Sequence, residues 1–348
     1  MVGPLDKDSW LGASGKDWDI VLSSRVRLAR NVAGVPFVGM ATDPDRNEVV
    51  GMVRRIPMFA GRDADLIWLE MENMNDRDRL MLVERHLISH QFADATFPRG
   101  VAISKDERLS VMVNEEDHLR IQTLAPGLAL REAFERVSEV RDEFESSIEF
   151  AFSPRWGFLT ACPTNVGCGI RFSVMLHLPA LRITEELGRV RQAAKDLDLA
   201  VRGYHGEGSE SVGDFFQISN QITLGTSEDE LLENFLGSVV PRLVEYERHA
   251  RVVLQEKRRM MLEDFVHRAH GTLLSARLLG IDEAIKLLSR LRIGRALEVV
   301  GSPDLAVIHR LLLNVQPAHL CALSGSGTME EGDETLAARA EMVRDALG

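Results

Sequence analysis

Three strand-like stretches crowd into residues 100 to 123, at Gly100 to Ser104, Leu109 to Asn114 and His118 to Thr123. No other feature limits the possible folds as tightly. In the second stretch, Leu109, Val111 and Val113 alternate with Ser110 and Met112, which suggests a sheet with one polar or active face. Further strands are read at Asp19 to Leu22, running on into Ser23-Ser24-Arg25-Val26-Arg27, and at Leu66 to Leu69, Arg171 to Leu178, near Ala200, and Phe215 to Leu224. Helical spacing predicts helices over Asp43 to Phe59 with Pro44 in the first turn, from a cap at Asp76 to about Ser89, from Leu130 to about Ser146, and from a cap at Thr184 to Leu197. Adjacent short strands mixed with helices favour an α+β fold with a largely antiparallel sheet.

After Ser227 the pattern changes. No proline lies between Pro241 and Pro303, and Leu231, Leu232, Phe235, Leu236, Val239 and Leu243 recur at helical spacing. The expected division is a catalytic domain over 1–226 and a separate all-helical C-terminal domain over 227–348. With 41 Lys+Arg against 53 Asp+Glu, the net charge of -12 argues against a nucleic-acid partner. Three cysteines without framework spacing point to a reducing compartment, and no run approaches the ~18 apolar residues of a membrane span. The N-terminus lacks the pattern of a signal peptide, so the expectation is a cytoplasmic protein. No paired Cys or His pattern for a zinc site occurs.

Four segments carry the chemistry: Ser23 to Arg27, Asn114 to Arg120, Cys162 to Arg171, and Arg202 to Gly208. They supply Arg25, Arg27, Arg120, Arg171 and Arg202, whose guanidinium groups fork onto phosphate oxygens and stay charged at any working pH. Arg25 and Arg27 lie two apart on a strand and so share a face, whereas Arg30 reads as a surface charge. The acids Glu115, Glu116 and Asp117 would repel one another unless a cation is present, and a carboxylate there could orient a guanidinium and take its proton. Gly167 and Gly169 allow close approach of the backbone to a ligand, and Cys162 beside cationic groups could act as a thiolate. Arg202 to Glu210 could fold over phosphates and exclude water. No Walker A loop and no protein-kinase motif set is present. Arginines for a polyphosphate together with acids for a guanidinium imply phosphate transfer onto a guanidine nitrogen.

From about Asp19 to Leu224 the chain resembles the phosphagen (guanidino) kinases, most closely their bacterial protein-arginine kinase branch. The resemblance rests on Leu22 to Asn31, Asn114 to Arg120, Cys162 to Gly167, His177 to Leu181, and Gln217 to Gln221. It implies an antiparallel sheet flanked by helices, similar to the glutamine-synthetase catalytic domain. The reaction it implies is transfer of the γ-phosphoryl group from ATP, carried with Mg2+, to arginine side chains in proteins, marking them for a Clp-type protease.

The resemblance also implies roles for residues. Glu116 would be the general base, Glu207 a second clamp, and Cys162 the reactive cysteine beside the substrate nitrogen. ATP would be held by Ser23, Ser24, Arg25, Val26, Arg27, His86, Arg120, Arg171, Phe172, Ser173, Val174, Met175, Arg202, Gly203, Tyr204, His205, Gly206 and Glu207. Cys168, Phe172 and Tyr204-His205 depart from the family's usual residues. Because Arg25 comes so early, the helical lid of the small-molecule kinases is expected to be absent, which favours a protein acceptor. Expected partners are protein substrates with exposed arginines, a zinc-finger activator, a Clp-type unfoldase and a second copy of the chain. Relatives carry an Arg-Asp-x-x-Arg-Ala motif for a phosphoarginine pocket. Of the matching stretch, Thr335 to Ala340, only Arg339 and Ala340 survive, so that regulation is not expected. A kinase for free arginine and a catalytically silent adaptor are the alternatives.

Overall fold

A computed structural model of the chain describes residues 10–12, 14–60, 66–203, 212–325 and 327–348. Ten strands follow in chain order: β1 (Val21–Arg30), β2 (Leu66–Glu70), β3 (Gly100–Ser104), β4 (Leu109–Val113), β5 (Leu119–Pro126), β6 (Phe152–Ser153), β7 (Gly157–Phe158), β8 (Ile170–His177), β9 (Leu199–Gly203) and β10 (Phe215–Asn220). Eight of them form one sheet in the order β2-β3-β4-β5-β1-β8-β10-β9, and β6 with β7 makes a small hairpin. Every neighbouring pair is antiparallel, as the crowded short strands predicted.

The helices are α1 (Asp43–Arg54), α2 (Pro57–Ala60), α3 (Asp76–Glu84), α4 (His90–Asp94), α5 (Leu130–Glu145), α6 (Pro179–Ile183), α7 (Leu187–Asp196), α8 (Glu228–Asn234), α9 (Val240–Lys257), α10 (Arg259–Ser275), α11 (Ile281–Ala296), α12 (Leu305–Asn314), α13 (Pro317–Ser324) and α14 (Asp333–Leu347). Local chemistry sets several of their ends. Thr42 and Asp45 form a reciprocal capping box at α1, and Ser227 with Glu230 forms another at α8.

Three expected helices differ. The run from Asp43 stops at Arg54, and Pro57, which has no N–H to continue the ladder, opens α2 instead. The helix expected to reach Ser89 is capped by Asn75 rather than Asp76, and it ends at Glu84 before His86 turns to a left-handed φ of 57°. Thr184 does not cap α7; its hydroxyl donates back to the Ala180 carbonyl at the end of α6.

The apolar face of α5 covers one side of β1 and β5, with Phe134 edge-on to Phe172 of β8. Across the sheet, a second cluster packs α3 and α4 against β3 and β4 through Leu82, Val83, Phe92, Val101 and Met112, and takes in Leu313 of α12. The helices beyond Ser227 pack directly onto the sheet. Leu243, Ile285, Leu288 and Val343 belong to the same continuous core as Val26, Phe172 and Phe215.

Buried polar contacts reinforce that junction. Glu247 of α9 accepts the N–H groups of Ala180 and Leu181 at the start of α6, at 3.2 and 3.1 Å. Arg292 of α11 donates to the Trp18 and Asp19 carbonyls, to His309 and to His177. No helix among the described residues is long and apolar enough to cross a membrane.

Candidate active site

Residues directly opposite in an antiparallel ladder share a face, so register alone gathers the arginines. Arg27 of β1 faces Arg171 of β8 on one side and Gln122 of β5 on the other, while Arg120 pairs with Ala29. Arg202 pairs with Gln217, whose other partner is Met175, two residues beyond Ser173 opposite Arg25. All five arginines therefore project from the sheet face opposite α5. They line one cavity of about 1030 Å³, together with His86, Glu116 and Cys162.

The electrostatics of this face are lopsided. Burial, then the charges of Arg120, Arg202 and Arg171, push Arg25 down to about 9. Burial and the same kind of repulsion, led by Arg25, hold Arg27 well below its ordinary value. Arg25 has one neutral acceptor, Gln217 Oε1 at 2.6 Å. Two guanidinium nitrogens of Arg27, Nε and Nη2, are buried without any acceptor. An arginine keeps its charge at neutral pH, so Arg27 sets a cation with two buried, unsatisfied nitrogens into the floor of the cavity.

The acids occupy the turn between β4 and β5. Asn114 enters it with a φ of 63°, a left-handed conformation that asparagine tolerates better than most residues. Glu115 is folded inward: its carboxylate accepts from Ser89 at 2.6 Å, Arg120 at 2.7 Å and the Glu116 N–H at 3.0 Å. Burial would raise the Glu115 carboxyl, but Arg120 and these hydrogen bonds outweigh it and hold the group below its usual range. Asp117 does the opposite, because burial prevails over its bonds to Ala161 N–H and Asn31 and pushes it up. Asp117 thereby ties the acidic turn to the segment that holds Cys162. Glu116 is left half-buried and facing the cavity. Cys162 precedes a short turn at Pro163–Asn165, with its Sγ 3.1 Å from the Thr164 hydroxyl.

Not every residue of the expected nucleotide set points into the cavity. Val26, Phe172 and Val174 alternate with Arg25, Arg27, Arg171 and Ser173, and their side chains lie in the core on the far face. Ser24 is also on that side, where its hydroxyl donates to the Gly127 carbonyl and accepts from the Ala129 N–H at the entry to α5. Ser23, Ser173 and Met175 line a small recess with Arg25 and His86. Gly203 closes β9 opposite Phe216. Tyr204, His205, Gly206 and Glu207 lie outside the described residues.

Arg30 is not a surface charge. It is 1% exposed, its guanidinium sits 3.5 Å from the centroid of the Phe158 ring, and it reaches the Cys168 carbonyl and Glu228. Residues that sequence reasoning passed over include Ser89, Gln122 and Gln217, together with Gln316 and Pro317 from the helical region, all lining the cavity. Gln122 follows Arg120 by two on one strand, a spacing that places it on the same face, whereas Ser89, Gln316 and Pro317 reach the cavity only through packing of distant segments.

A sheet of this topology with arginines on one face and an acidic turn at its rim defines a guanidino phosphotransferase. Accordingly, residues 52–250 match the family described as "ATP:guanido phosphotransferase, C-terminal catalytic domain", and residues 259–348 match "Protein-arginine kinase McsB C-terminal domain". The chain belongs to the protein-arginine kinase family of ATP:guanido phosphotransferases. It is 43% identical to the protein-arginine kinase of Moorella thermoacetica, over 99% of this chain and 98% of that protein. Its identity to the protein-arginine kinase of Symbiobacterium thermophilum is 44%, over 91% and 90% of the two chains. Among solved structures, lombricine kinase superimposes with a TM-score of 0.58 at 25% identity, covering 71% of each chain. The substrate-free duplicated taurocyamine kinase of Schistosoma mansoni gives 0.58 at 26% identity, over 78% of this chain and 42% of that one.

Proposed function

We propose that this enzyme transfers the γ-phosphoryl group of ATP to the guanidinium of arginine side chains in proteins. One observation carries the reading: Arg27 presents two buried nitrogens without an acceptor, among four other arginines on one sheet face. A polyphosphate supplies both the missing acceptors and the missing charge. Arg25, Arg27, Arg120, Arg171 and Arg202 hold its oxygens, and His86 lies at the same cavity wall. Mg2+ carried in with ATP would supply further charge neutralisation.

Glu116 orients the acceptor guanidinium and takes the proton that the attacking nitrogen loses, while Glu115 fixes Glu116 by its backbone N–H and Arg120 by its side chain. Phosphoryl transfer requires mainly such positioning and charge stabilisation. Cys162 stands beside the acceptor. The extent of similarity to protein-arginine kinases, 98% of one relative's length, supports a protein acceptor over a free guanidine.

Phosphorylation turns a cation into an anion at the marked arginine, a change that a Clp-type unfoldase can read. A zinc-finger activator completes the proposed partners. Exposed Tyr246, Met260 and Met261 on α9 and α10 support a homodimer.

The reading is tested with γ-labelled ATP and Mg2+, offering an arginine-rich unfolded protein and free arginine in parallel. Acid-labile label on protein arginine is expected, with Glu116→Gln at least ~100-fold slower in kcat and little changed in ATP binding. Label on free arginine alone would overturn the protein acceptor. Unchanged turnover in Glu116→Gln would remove Glu116 from the mechanism.

A further inference from the structure

Helix α13 of the helical region forms part of the cavity wall through Pro317, and it is fastened to the end of α3 by a buried cluster. The Glu84 carboxylate accepts the N–H groups of Ala318 and His319 at 2.7 and 3.1 Å, capping α13 from another helix. The His319 ring adds two bonds. Arg85 Nε donates to its Nε2 at 3.0 Å, which leaves Nδ1 to donate to the same Glu84 oxygen at 2.5 Å. Arg85 also pairs with Glu107, and its carbonyl accepts from Trp10 Nε1 at 3.1 Å.

The next residue is His86. Its φ of 57° is a conformation that persists in a non-glycine residue only when its surroundings enforce it. Trp10 lies edge-on to its ring at 5.3 Å, and its carbonyl accepts from Gln122 Nε2 at 2.6 Å. Thus Glu84, itself at the cavity wall, and Arg85 reach α13, while His86 lines the cavity beside them. The anchor and the cavity residue are consecutive in the chain.

We propose that His319 and Glu84 are positioning residues that hold His86 in place, so that docking of the C-terminal helical region sets the cavity's affinity for ATP. This rests on the reading of the cavity as the nucleotide site. Neither residue is given a part in the chemistry. Loosening the anchor therefore weakens ATP binding and spares the acceptor and the transfer step.

The test compares His319→Ala, His319→Asn and His86→Ala in the full chain, measuring kcat and the separate KM values for ATP and for the protein acceptor. His319→Ala is expected to raise the ATP KM by about 5- to 20-fold, with kcat at saturating ATP within about twofold and the acceptor KM unchanged. His319→Asn keeps a donor near Nδ1 and should recover most of the affinity. If His319→Ala does not fold, Glu84→Gln, which retains one acceptor oxygen, should show a smaller rise in the ATP KM.

Raised ATP KM in His86→Ala with no change in His319→Ala would overturn the inference alone. Unchanged ATP KM in His86→Ala would overturn the role of His86 in nucleotide binding, and the inference with it. Equal losses in kcat and both KM values, with His319→Asn no better than His319→Ala, would reduce the cluster to general stability and also overturn it.

Discussion

Arg292 is fully buried and Arg27 half-buried, and the two differ in what their guanidinium groups face. Arg292, at the junction of sheet and helices, finds an acceptor for each nitrogen: His309 for Nε, the Asp19 carbonyl and His177 for Nη1, and the Trp18 carbonyl for Nη2. Arg27, in the cavity, leaves two of its nitrogens with none. Arg25, beside Arg27, and Arg292 are nonetheless both pushed down to about 9, in each case chiefly by burial. A depressed pKa therefore does not separate a structural arginine from a ligand-binding one. For this pair the tally of acceptors does: Arg292 is complete as it stands, whereas Arg27 has two nitrogens left for an anion.

The comparison breaks first at Arg292. Arg292→Met would strand two carbonyls and two histidine rings in the core, and it should cost about 3–5 kcal/mol in denaturant unfolding. A variant as stable as the parent would mean that the junction contacts hold nothing together.

Acid sharpens the same contrast. Burial, followed by Arg292 and then Arg251 and His309, holds His177 well below 6.5, and burial with Arg292 brings His309 to about 3. Both folded values lie below the unfolded ones. Their stabilising contribution is thus present above about pH 6.5 and is lost as pH falls, because the unfolded chain takes up protons that the folded one refuses. The loss should reach about 1.4 kcal/mol per pH unit for each histidine, read as falling denaturant midpoints between about pH 7 and about pH 5. His309→Asn should flatten that slope, and an unchanged slope would show that His309 does not titrate as its contacts demand.

Much of the site was legible because strand periodicity places residues two apart on one face, as with Arg25 and Arg27. The same periodicity sends the side chains of Val26, Phe172 and Val174 to the core, so within the contiguous motif these alternate members have only their backbone to offer a ligand on the cavity face. What sequence could not supply was register. Arg171 comes to face Arg27 only because β8 pairs with β1 in one particular alignment. Arg30 was misjudged for a related reason, since its acceptor on Cys168 lies 138 residues away. Of the anchor around His86, nothing local in the sequence marks Trp10 or His319 as its neighbours. The helical region was readable as helices, yet its shared core with the sheet depends on contacts such as Glu247 with α6, which no period reveals.

The smallest expected change in folding stability falls on the cavity arginine, and it tests the central claim most directly. Arg27→Met should be measured for unfolding without nucleotide and for MgATP binding by titration calorimetry. The account predicts a protein at least as stable as its parent, by up to about 1 kcal/mol, because a repelled and unsatisfied charge has been removed. It also predicts ATP binding at least about tenfold weaker, the scale of a lost charged hydrogen bond. Unchanged ATP affinity, or a loss of stability like that of Arg292→Met, would contradict it.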